Sequence, residues 1–120
     1  FTFTTSPSPD PHGIYYASLT NLNITEGSYD AYIKGWAHLS KRYTANLTSG
    51  INILDFSAQE LTGGDANNDD RINALDLGRI IEEYSPTASV QSSADLNLDG
   101  LVNSADISLV LANYLREGER

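Results

Sequence analysis

The chain has 120 residues, 40% of them hydrophobic, and a formal charge of -9 from sixteen acidic and seven basic side chains. That composition supports a core in one ordinary domain or two very small ones, and no apolar run approaches the ~20 residues of a membrane span. The acidic balance argues against a nucleic-acid partner, and the absence of cysteine excludes disulfides, thiol nucleophiles and thiolate metal sites.

Methionine is absent too, at position 1 as elsewhere, as expected of a piece of a longer chain. The two halves differ in character. Residues 1–60 hold five acids, three bases, Trp36, all three phenylalanines and Tyr15, Tyr16, Tyr29, Tyr32 and Tyr43. Residues 61–120 hold eleven acids and four bases. Gly63-Gly64 sits at the change, which predicts a module over 1–62 and a second over 63–120.

The first module reads as β. Phe1–Thr5 alternates apolar and polar residues of β-favouring type. Ser6–Gly13, with Pro7, Pro9 and Pro11, is a loop. Ile14–Leu22 is again rich in Tyr, Leu and Thr, and Glu26-Gly27-Ser28 is a turn. Tyr29, Ala31 and Ile33 alternate with Asp30, Tyr32 and Lys34, the pattern of a strand with one wet face. Lys41–Leu47 alternates less cleanly, and Ser49-Gly50 turns the chain into Ile51–Phe56. These stretches predict about five strands and no helix.

The second module changes period. Leu75, Leu77, Ile80, Ile81 and Tyr84 recur at helical spacing, as do Ile107, Val110, Leu111, Tyr114 and Leu115. Pro86 ends the first helix, and Ser89–Ala94 could form one more helical turn. The predicted class is α+β as a whole: an all-β, sandwich-like module followed by a small all-α one.

Asp65–Tyr84 laid over Asp95–Tyr114 shows a tandem repeat of loop and helix. Asp65 meets Asp95, Asn67 meets Asn97, Asp69 meets Asp99, Asn73 meets Asn103 and Asp76 meets Asp106. Oxygen side chains fall at loop positions 1, 3, 5, 9 and 12, the spacing by which an EF-hand-type loop wraps one Ca²⁺. The ion wants six to eight oxygens at roughly 2.3–2.6 Å, and alternate residues of a tightly curved loop can supply them. The ligands read this way are Asp65, Asn67, Asp69, Asp76 and the carbonyl of Arg71 in loop one. In loop two they are Asp95, Asn97, Asp99, Asp106 and the carbonyl of Leu101. Two ions are expected. Asp- and Asn-rich turns are common, but two in register, each leading into an amphipathic helix, select calcium. Ile72 and Val102 at position 8 are expected to pair back-to-back.

The loops depart from the common pattern twice. Position 12 is Asp, one methylene shorter than Glu, so the exit helix must approach the ion more closely. Position 6 is Gly100 in loop two but Asp70 in loop one. Holding Asp in the left-handed region there costs about 1 kcal/mol. Asp70 is also expected to point a non-ligand carboxylate near the ion, which attracts Ca²⁺ at low salt but is screened at physiological ionic strength. Loop two is therefore expected to be the tighter site near physiological salt, and Asp70→Gly to tighten loop one.

Residues 63–117, through Asp65-Ala-Asn67-Asn-Asp69-Asp-Arg-Ile-Asn73-Ala-Leu-Asp76 and Asp95-Leu-Asn97-Leu-Asp99-Gly-Leu-Val-Asn103-Ser-Ala-Asp106, resemble a dockerin. The resemblance implies a calcium-dependent module that binds a cohesin domain and tethers a secreted or cell-surface protein into an extracellular assembly. A cellulosome-like setting, with polysaccharide degradation, goes with it. It also implies that Ala74, Leu75, Ile81 and Glu82 in the first repeat and Ser104, Ala105, Leu111 and Ala112 in the second face the cohesin. The two sets differ, which favours a partner that reads one face only. The first module resembles, more weakly, a carboxypeptidase-regulatory or prealbumin-like β-sandwich. That resemblance lies in Leu19–Leu22, the turn Glu26-Gly27-Ser28, the strand Tyr29–Gly35 and the closing Ser49–Phe56.

Other features weigh less. His12 and His38 lack spaced partners and read as surface or structural residues. No nucleophile–base pair is present, so no enzyme is expected. Trp36 with Tyr16, Tyr29, Tyr32 and Tyr43 could stack sugars, but aromatics in a small β-module more often form its core. Three readings stand: a cohesin-binding module, a calcium staple with no partner, and a carbohydrate-binding β-domain carrying a dockerin. Exposure of Leu75, Ile81 or Leu111 would mark the partner site, and their burial against residues 1–62 would mark the staple.

Overall fold

The computed structural model describes residues 11, 15–18, 22–58, 60–87 and 92–120. The strand expected over Phe1–Thr5, part of the stretch Ile14–Leu22, part of the helical turn expected over Ser89–Ala94, and His12 lie outside them. The elements in chain order are β1 (Gly27–Ile33), β2 (Lys41–Leu47), α1 (Ala74–Glu82) and α2 (Ser104–Ala112).

β1 and β2 form a two-stranded antiparallel sheet. In β1 the half-buried Tyr29, Ala31 and Ile33 alternate with exposed Asp30 and Tyr32, as the period-2 pattern predicts. In β2, Tyr43, Ala45 and Leu47 take the drier side. The Tyr43 ring meets Phe56 edge-on at 4.9 Å. Residues 51–56, expected as a strand, form none, and Ile51 and Ile53 are 94% and 85% exposed. Asn52, Leu54 and Phe56 are half-buried, so one side is covered, but a strand also needs a paired edge, and among the described residues this stretch has none. Where about five strands of a sandwich were expected, the described residues therefore hold a single two-stranded sheet.

The chain divides into two compact units. One holds Asn46–Ile53 with the described residues up to Tyr29. Within it, Ser49 N–H donates to the Glu26 carboxylate at 2.8 Å. The other holds Asp30–Ala45 and Leu54–Arg120, and it carries both helices.

The core of this larger unit is Leu39, Ala66, Ile72, Ile80, Ala94, Val102 and Val110, with Leu77, Leu96 and Ile107 packed on it. The two repeats contribute alike, with position 8 (Ile72, Val102) and the helix centres (Ile80, Val110) fully buried. Leu39 comes from outside the repeats. Residues 37–39 run antiparallel to 62–65: Leu39 N–H donates to the Thr62 carbonyl at 2.8 Å, and Gly64 N–H to that of Ala37 at 2.9 Å. This bridge inserts Leu39, 4% exposed, into the core beside both repeats. Leu39→Ala should lower the unfolding free energy of the calcium-loaded chain by about 3 kcal/mol through lost burial and an unfilled cavity. Urea denaturation measures it, and an unchanged midpoint would remove Leu39 from the core.

Ile72 and Val102 share the core but do not pair backbone to backbone as expected. Each instead pairs with the chain leaving the other repeat's helix. Val102 exchanges bonds with Ser85 at 2.8 and 3.2 Å, and Ile72 bonds Leu115 and Arg116 at 2.8 and 2.9 Å. The side chains fill the centre, and their buried N–H and C=O groups find partners in the nearest free backbone. Tyr114 and Leu115, read as helical, lie past the end of α2, with Leu115 in the left-handed region at φ 64. Among the described residues no helix is long and apolar enough to cross a membrane.

Candidate functional site

Loop one (65–76) and loop two (95–106) share one hydrogen-bond pattern. The Asp65 carboxylate accepts the Asp69 and Asp70 N–H groups, each at 2.9 Å. Asp95 accepts those of Asp99 and Gly100 at 3.1 and 2.9 Å. The Asn67 and Asn97 side-chain oxygens accept from Asp69 and Asp99 N–H, both at 3.1 Å. The Asp69 carboxylate accepts Arg71 N–H at 3.0 Å, and the Asp99 carboxylate accepts Leu101 N–H at 2.9 Å. Each loop thus curls its backbone around its own carboxylates. The curl needs positive φ at position 6, 70° at Asp70 and 85° at Gly100. It also needs it at position 4, 64° at Asn68 and 59° at Leu98, which the side-chain spacing did not reveal.

Position 9, counted above among the oxygen-bearing positions, starts the helices. The Asn73 and Asn103 side chains accept from Leu75 and Ala105 N–H, each at 2.8 Å. In return the Asp76 and Asp106 carboxylates accept Asn73 and Asn103 N–H at 2.8 and 2.9 Å, completing a capping box in each repeat. The other oxygen of each carboxylate reaches back to its loop: Asp76 to Asn67 N–H at 3.2 Å, Asp106 to Leu96 N–H at 2.8 Å. Position 12 therefore ties loop to helix. Burial pushes the Asp76 carboxyl above its ordinary range, helped by the charges of Asp65 and Asp69 and opposed by the Asn73 and Asn67 N–H bonds.

Asp65, Asp76 and Asp106 are fully buried and Asp95 nearly so. Among the described residues no ion pair reaches Asp95, Asp99 or Asp106. Enclosed carboxylates without a counter-charge are unfavourable, and a hard cation taking oxygen ligands fits this donor set. No three Asp, Glu, His or Cys side chains among the described residues form a ready-made metal cluster. The carboxylates are instead spread over backbone N–H groups. Each oxygen keeps acceptor capacity beyond the bond it makes, and asparagine and carbonyl oxygens extend the set. The Arg71 guanidinium is turned to Glu117 at 3.6 Å, so its backbone is what Arg71 can offer.

Two oxygen-lined loops, each opening one capped helix and exchanging backbone bonds with the other repeat, settle the comparison. Residues 63–116 are a dockerin type I domain. The family model matches over that stretch, and no curated protein and no solved structure matches the chain. A dockerin type I domain is a calcium-dependent cohesin-binding module, itself non-catalytic, that binds two calcium ions.

The eight residues expected at the cohesin are exposed on the two helices of the dockerin. Ala74, Leu75, Ile81 and Glu82 in α1 and Ser104, Ala105, Leu111 and Ala112 in α2 occupy matching positions with matching exposure. Leu75, Ile81 and Leu111 are 64%, 67% and 57% exposed, while Ile80 and Val110 turn inward. Trp36 and Tyr32 are also exposed, which contradicts a core role for them. His38 is half-buried against backbone, its Nδ1 at the Trp36 carbonyl.

Asp70 behaves differently from expectation. Its carboxylate does not stand free near the ion site. It accepts the Ser40 N–H at 2.6 Å and the Ser40 hydroxyl at 2.5 Å, with Lys34 and Arg120 at 3.5 and 3.6 Å. Burial alone would raise this carboxyl, but the Ser40 bonds and the two cations hold it below the usual range. Asp70→Gly would lose these contacts, so it should weaken loop one instead of tightening it, a reversal that single-site calcium titration measures. Lys34, Leu39 and Ser40 are the site residues that sequence reasoning missed. The one signal was Asp70 itself, an acid where the turn prefers glycine.

Proposed function

We propose that Asp65, Asn67, Asp69, Asp76 and the Arg71 carbonyl hold one calcium ion of the dockerin, and that Asp95, Asn97, Asp99, Asp106 and the Leu101 carbonyl hold the other. The cohesin then docks on Ala74, Leu75, Ile81 and Glu82 or on Ser104, Ala105, Leu111 and Ala112. The dockerin module is taken as 63–120, preceded by a non-enzymatic module over 1–62. The sandwich-like reading of that module rests on the alternating burial of β1 and β2. The whole serves as a tether for a secreted or cell-surface protein in an extracellular assembly.

The observation that carries this reading is the exposure of Leu75, Ile81 and Leu111. A calcium staple would bury these side chains. Here each helix spends one apolar face on the core and leaves another to a partner. The faces are unequal, with Leu75 against Ala105 and Glu82 against Ala112, which favours docking in one orientation. Ile81→Lys and Leu111→Lys, tested singly for type I cohesin binding in calcium, separate the faces. One should weaken binding at least about thirtyfold, the loss of a hot spot of about 2 kcal/mol, and the other little. Undiminished binding by the double variant would overturn the assignment.

A further inference from the structure

Loop one carries a cation that loop two, among the described residues, lacks. The Lys34 ammonium, 17% exposed, donates to the His38 carbonyl at 2.6 Å, ion-pairs with Asp65 and lies 3.5 Å from Asp70. Ser40 grips Asp70 through both its N–H and its hydroxyl. The last residues close over the same point. Gly118 N–H donates to the Asp70 carbonyl at 2.9 Å, Glu119 N–H to the Ser40 carbonyl at 3.0 Å, and Arg120 N–H to the Ser40 hydroxyl at 3.2 Å. A Cβ at Gly118 would overlap the Asp70 carboxylate, so the approach requires glycine. At the equivalent point of loop two stands Gly100, with no side chain to hold.

We propose that Lys34 and the Ser40–Asp70 contact form a latch that keeps calcium loop one curved in the absence of the ion, so that loop two alone depends on calcium for its shape. The proposal rests on the two loops being calcium sites and adds a positioning role for residues outside the dockerin repeats. Without calcium, the clustered carboxylates of each loop repel one another. In loop one an internal ammonium offsets part of that repulsion, and Asp70 is pinned in the left-handed conformation that the curl demands. In loop two no cation among the described residues pairs with Asp95, Asp99 or Asp106. Calcium enters loop one with its ordering largely done, whereas binding at loop two must also order the loop.

Amide hydrogen exchange on the full chain, in chelator and in calcium, tests this. In chelator the Asp69, Asp70 and Ile72 amides should stay protected while those of Asp99, Gly100 and Val102 exchange freely, and calcium should protect both sets. Lys34→Gln, and Asp70→Asn, which keeps tolerance of the left-handed region, should each speed loop-one exchange in chelator at least about tenfold. Both variants should remain protected in calcium, which shows that they fold. Equal exchange of the two loops in chelator, or no response of loop one to either variant, would overturn the latch. So would loss of protection in calcium as well, which would assign Lys34 and Asp70 to the general fold. Calcium failing to protect loop two in the unmodified chain would instead overturn the calcium reading beneath it.

Discussion

Replacing Asp106 by alanine is expected to reduce the calcium bound by the chain from two ions to one, and Asp76→Ala to do the same at the other loop. Read as ligands, these carboxylates close their loops from the first turn of the helix, and no neighbour replaces two oxygens at once. The same side chains hold the architecture. Asp106 accepts N–H groups from Leu96 and Asn103, and Asp76 accepts them from Asn67 and Asn73. Each alanine variant strands buried donors at about 1–3 kcal/mol apiece, so the affected helix should also fray. Isothermal calorimetry gives the stoichiometry. Two ions retained in either variant would show that the loop register is wrong, with position 12 elsewhere.

Chelation of calcium should melt α2 and reduce the helical signal of the chain, with recovery when calcium is returned in excess. The core of the larger unit is small and built largely of Ala, Val and Ile. Domains of ~60 residues with so little apolar surface fold marginally without a staple. Loop two is the weak point, because no cation among the described residues pairs with its buried Asp95 and Asp106. Circular dichroism at the helical band, in chelator and then in calcium, decides it. Helix content unchanged by chelator would show that side-chain packing alone holds the dockerin.

The two curled loops and the helix starts were legible in the sequence because their interactions are local. Asp65 bonds residues four and five positions on, and Asn73 and Asp76 cap a helix three apart. Interactions of that range leave a spacing, and the thirty-residue repeat of the spacing raises it above chance. Helical periodicity likewise marked Leu75, Ile80 and Ile81, but it could not say which turns inward. That choice depends on where the other repeat lies, since Ile80 fills the centre only because Val102 and Val110 meet it there. The partners of Ile72 and Val102 were misread for the same reason, because the nearest free backbone belonged to the opposite helix's exit. The strand expected over 51–56 had the right alternation, yet alternation makes a strand only when another edge is present to pair with it. Lys34, Leu39 and Ser40 left no local trace at all. Ser40 and Asp70 are thirty residues apart, and only the folded chain brings them together. Contacts across such separations have no fixed spacing, so the sequence by itself determined the two loops and their helices. Tertiary structure decided which chain segments surround them, because burial and charge pairing are satisfied by whatever lies near in space, whatever its place in the chain.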